Sequence, residues 1–87
     1  MRMETCRVNF KVKPRHNTIS EEIIRKAILG NTSGQINNLR ICPGEPGVLS
    51  VYFESADQHV IRNLDRDLSQ RFVIEGWIER TGPIIRL

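Results

Sequence analysis

The sequence predicts an α+β domain: a four-stranded antiparallel sheet with two helices on one face. Residues 5–13 and 48–54 alternate apolar and polar side chains, the period of a strand with one buried face. Two other stretches, near 20–30 and 58–69, repeat apolar residues at helical spacing behind capping residues. Glycine and proline punctuate the boundaries, and the resulting order is β-α-β-β-α-β.

The first strand, 5–13, directs Cys6, Val8, Phe10 and Val12 to one side and stops at Pro14, which cannot donate to a ladder. Thr18-Ile19-Ser20-Glu21 has the capping-box pattern, and Ser20 is an equally good N-cap. Ile23, Ile24, Ala27 and Ile28 then give a helix of about ten residues that Gly30 should end. The second strand, 36–42, sets Leu39 and Ile41 against Asn38 and Arg40. Pro43-Gly44-Glu45-Pro46-Gly47 is a connector that suits neither helix nor central strand. In the third strand, 48–54, Leu49, Val51 and Phe53 face one way and Ser50 and Tyr52 the other. Ser55-Ala56-Asp57-Gln58 opens a second helix along Val60, Ile61, Leu64 and Leu68. A fourth strand is expected over 71–79, and Ile84-Ile85-Arg86-Leu87 then either adds a short fifth edge strand or covers the sheet.

Pairing the middle strands as a hairpin, with right-handed crossovers, gives the ferredoxin-like βαββαβ sandwich as one domain over residues 1–87. Its first and third strands are central. A chain of 87 residues buries roughly 60–65% of its unfolded surface. No apolar run reaches membrane-spanning length, and the N-terminus lacks a signal-like apolar region. Cys6 and Cys42 form neither a Cys-x-x-Cys pair nor a disulfide scaffold, which favours a reducing, cytoplasmic setting.

Charge is the most informative feature for function. The net charge is +3, yet residues 1–16 alone carry +4, from Arg2, Arg7, Lys11, Lys13 and Arg15 against Glu4. On a continuous strand, Arg7, Asn9, Lys11, Lys13 and Arg15 share the open side, about 6.5–7 Å apart, and form a cationic ladder able to track a phosphate backbone or acidic surface. Exposed lysine and arginine also simply solubilise sheets, and Glu54, Glu75 and Glu79 are placed to neutralise the ladder. Arg40 and Tyr52 belong by parity to the same face, and Trp77 joins it by the alternation of the fourth strand.

This strand order with a basic sheet face resembles the RNA-recognition motif. Within Pro46–Phe53, Gly47, Val51 and Phe53 keep the register of that family's third-strand motif. Val48 and Ser50 stand where its exposed aromatics would be, and Asn9 holds the first-strand stacking position. The resemblance implies the sandwich fold and RNA contact across the sheet, but its stacking residues are replaced.

No phosphate loop, metal-ligand spacing or nucleophile elbow is present, so no cofactor, metal or enzymatic activity is expected. His16 leaves one narrow route to chemistry, as the base of a metal-independent ribonuclease. The leading expectation is a non-enzymatic module that binds single-stranded nucleic acid, RNA preferred. Arg7, Lys11, Lys13, Arg15 and Arg40 would meet phosphates, Asn9 would hydrogen-bond, and Tyr52 and Trp77 would stack. The alternative is a protein-interaction module, whether a regulator, an inhibitor of a larger nucleoprotein machine or a homodimeric assembly subunit, that turns the same face to an acidic protein surface.

Overall fold

A computed structural model describes residues 3–32, 35–70 and 78–87. The elements are β1 (Glu4–Lys11), a 3-10 turn (Pro14–His16), α1 (Asn17–Thr32), β2 (Asn37–Pro43), β3 (Val48–Ser55), α2 (Gln58–Gln70), β4 (Glu79–Arg80) and β5 (Ile85–Arg86). Strand order is β2-β3-β1-β4, with β5 also on β1, and every pairing is antiparallel. This is the βαββαβ arrangement with the fifth strand present.

The alternation in β1 and β3 divides the molecule. Cys6, Val8, Phe10, Leu49, Val51 and Phe53 are almost wholly buried and join Ile24, Ile28, Ile61, Leu64 and Leu68 of the helices in a single core. Burying each such side chain stabilises the fold by about 1.5–3 kcal/mol. Both helices therefore lie on one face of the sheet.

The helix boundaries differ from the sequence reading for identifiable reasons. The 3-10 turn feeds straight into α1, so Ser20 is a buried residue inside the helix and not its N-cap. Gly30 does not end α1. It is exposed in open space, and an interior helical glycine costs only about 0.5–1 kcal/mol. The helix runs on to Thr32, which is buried and whose hydroxyl donates to the Ile28 carbonyl at 2.9 Å. At α2 the cap is Asp57, whose Oδ1 accepts the His59 N–H at 2.8 Å.

Two irregularities shape the sheet edges. Asn37 faces Glu54 and Arg40 faces Tyr52, so Asn38 and Leu39 together oppose the single Phe53. Asn38 makes this bulge in the left-handed region, at φ 53°. On the far edge, β4 and β5 lie end to end along β1, with two residues more between them than a regular ladder uses. Gly82 and Pro83 take up that surplus. Asp65 of α2 pins this kink: its carboxylate binds Arg80 and accepts the Ile84 N–H at 3.2 Å. Arg86 Nε lies 3.4 Å from Glu4 Oε2, and Arg86 Nη1 donates to Gln58 Oε1 at 3.2 Å. The tail is thus an edge strand in the plane of the sheet and not a cover over its face. Of the strand expected over 71–79, residues 71–77, Trp77 among them, lie outside the described residues.

The left-handed backbone at Asn38 supplies a stability test. Glycine accepts this conformation freely, whereas a β-branched side chain meets the full penalty of about 1–2 kcal/mol. Thermal unfolding followed by circular dichroism should leave Asn38→Gly close to wild type and lower the Tm of Asn38→Val. Equal melting of the two variants would mean that the bulge is not formed.

Candidate nucleic-acid interface

The strand registers assemble the helix-free face in transverse rows. One row runs Arg40, Tyr52, Arg7, Ile85 from β2 through β3 and β1 to β5. The next sets Cys42, Ser50 and Asn9 side by side, and Thr81 donates to the Asn9 carbonyl through its backbone N–H at 3.1 Å. A third places Val48 beside Lys11 and Glu79. Asn37, Glu54 and Thr5 form the row at the opposite end.

Arg7, Asn9, Lys11, Arg40 and Tyr52 are therefore gathered on this face. The ladder as a continuous strand feature needs correction. β1 ends at Lys11; Val12, still buried, adds one last in-register bond by donating to the Gly47 carbonyl at 2.7 Å, and the chain then tightens into the 3-10 turn at Pro14. Lys13 and Arg15 are exposed beyond the strand, Arg15 within the turn, so they extend the charge past the end of the sheet. Ion pairs among the described residues engage Arg66, Arg80 and Arg86. Arg7, Lys11, Lys13, Arg15 and Arg40 form none among them, even though Glu79 stands opposite Lys11.

Tyr52 is half-buried at the centre of its row. Arg40 Cζ lies 5.8 Å from its ring centroid, near the outer limit of cation–π attraction. At an exposed site such a contact is worth about 0.5–1 kcal/mol, less than the roughly 1–3 kcal/mol of a base stacked on an aromatic ring. A base can therefore displace the guanidinium. Arg7 Nε and Asn9 Oδ1 are buried and have no hydrogen-bond partner among the described residues. Leaving such a group unsatisfied costs about 1–3 kcal/mol. Sequence alternation located both residues; their unmet hydrogen bonds depend on how neighbouring strands shade them.

Of the histidines, His16 lies in the 3-10 turn, where its N–H donates to the Lys13 carbonyl at 2.9 Å, and His59 sits exposed in the first turn of α2. Among the described residues no three His, Cys, Asp or Glu side chains converge as a metal site, and no helix is long and apolar enough to cross a membrane. Compared with known proteins, the chain matches no protein-family model and no curated protein.

The two cysteines occupy opposite environments. Cys42 is exposed, whereas Cys6 is fully buried. Burial chiefly, with Glu4 adding and Arg86 opposing, raises the Cys6 thiol above its ordinary value of 9.0. A thiol-reactive disulfide should modify Cys42 rapidly and Cys6 only at the rate of unfolding; two fast thiols would contradict the buried position. Because the folded-state pKa is raised, the stability linked to Cys6 is intact below 9.0 and declines as pH rises past it, where the unfolded chain ionises first.

Proposed function

We propose that the protein is a non-enzymatic module that binds single-stranded nucleic acid, RNA in preference, across the helix-free sheet face. The observation that carries this reading is the pair of polar atoms unpartnered among the described residues, Arg7 Nε and Asn9 Oδ1, on the sheet face that Tyr52 shares. A nucleotide satisfies all three at once, with phosphate for the guanidinium, an amino group for the amide oxygen and a π-face for the ring. Lys11, Lys13, Arg15 and Arg40 supply positive charge around that centre, with no ion pair among the described residues to offset it. The altered motif of the RNA-recognition resemblance agrees with a shifted platform, because Tyr52 is an exposed-face aromatic two positions beyond Ser50.

A protein-interaction surface is the second reading, and it too has its own observation. Ile85 and Leu87 are 43% and 64% exposed at the edge of this face, with Met3 at 39% nearby. Such an apolar rim suits a partner protein or a second copy of the chain. Size-exclusion chromatography with light scattering separates a dimer from a monomer.

Fluorescence-anisotropy titration of a labelled oligouridylate over a salt series tests the first reading. With about four phosphates neutralised, the slope of log affinity against log salt should be roughly −3. The double variant Lys11→Glu, Lys13→Glu should abolish most of the binding and flatten the slope. Binding that ignores salt, or survives the double reversal, would overturn the reading.

A further inference from the structure

The β2 bulge opens a cleft of about 430 Å³ lined by Asn38, Leu39, Arg40 and Glu54, immediately beside Tyr52 in the register. Glu54 is the feature that a surface built only for phosphate would not hold there. It is half-buried on the same face as Tyr52, opposite Asn37 and Thr5, and it makes no ion pair with Arg40, its neighbour in the cleft. A carboxylate repels phosphate, and because Glu54 neutralises neither Arg40 nor another described cation of the face, its chemistry suits the donor edge of a base.

We propose that this cleft is a guanine subsite, with the base stacked on Tyr52 and its Watson–Crick edge turned to Glu54. The inference rests on the reading of this face as a single-strand surface. Its chemical basis is complementarity. A carboxylate presents two acceptors and no donor, and guanine alone offers two adjacent donors, N1–H and the N2 amino group. Adenine and cytosine each place a ring-nitrogen lone pair beside their amino group, and uracil sets one N–H between two carbonyl oxygens. Each of these turns at least one lone pair against Glu54.

The remaining atoms of guanine also find partners. O6 needs a donor, and the Asn38 amide and the Arg40 guanidinium line the same cleft. Arg40 is held over the Tyr52 ring in the free protein. When the base takes its place, the guanidinium is released toward O6 or the adjoining phosphate. The left-handed backbone of Asn38 is thereby given a role, since the bulge it permits is what breaks the regular ladder beside Tyr52.

The test compares anisotropy titrations of a short labelled oligouridylate with versions carrying one central guanosine, adenosine or cytidine. The guanosine version should bind tighter than the others by on the order of tenfold, in the range of a bidentate base contact. Glu54→Gln, which keeps the size but replaces one acceptor with a donor, should bring the four oligomers within about twofold, with an unchanged circular-dichroism spectrum. Equal binding of all four by the wild-type protein, or a guanosine preference that persists in Glu54→Gln, overturns the subsite alone. Failure of every oligomer to bind overturns both the subsite and the single-strand reading.

Discussion

The antiparallel pairing of β1 with β3 governs the rest of the molecule. It runs without interruption from Glu4 opposite Ser55 to Lys11 opposite Val48. Strand side chains alternate, so this one register sends Cys6, Val8, Phe10, Leu49, Val51 and Phe53 into the core and Arg7, Asn9, Lys11, Ser50 and Tyr52 to the other face. A slip of β1 by one residue would bury Arg7 and Lys11 and expose Phe10. The hydrophobic effect that fixes the core therefore also fixes the composition of the open face. Arg7 stands beside Tyr52 because Cys6 and Phe53 must be buried together.

The edges hold this centre in place while leaving the face open. On one side, Asp65 reaches from α2 to Arg80 and to the Ile84 N–H, so the kink at Gly82 and Pro83 is tied to the helix layer. Glu4, Gln58 and Arg86 form a second tie near the C-terminus. The acidic partners of Arg80 and Arg86 are thus engaged on the helix side, and among the described residues Arg7 and Lys11 form no ion pair. On the opposite side, the Asn38 bulge interrupts β2 and makes it a poor template for continuous pairing with another strand.

The parts of this architecture that follow from periodicity were legible in the sequence. β3, the α2 stripe, the burial of Cys6 and the sharing of one face by Arg7, Asn9, Lys11, Arg40 and Tyr52 all rest on the alternation of side chains. What was not legible depends on tertiary geometry. Gly30 reads as a helix stop, yet Thr32 packs beneath the last turn and carries α1 past it. Lys13 and Arg15 read as rungs of a strand, yet the 3-10 turn at Pro14–His16, closed by the His16 N–H on the Lys13 carbonyl, takes them off it. Asn38 gives no sign in isolation of a left-handed bulge, and so the cleft beside Glu54 could not be read from the chain.

The proposed single-strand binding is centred on the helix-free face, around Tyr52 and Arg7. Amide chemical-shift mapping of isotopically labelled protein during titration with a single-stranded oligoribonucleotide tests this most directly. Shifts should concentrate in β1 and β3 and extend to Arg40 and the Asn38 bulge, while α1 and the outer face of α2 stay unchanged. Shifts confined to the helices, with β1 and β3 silent at saturation, would contradict it.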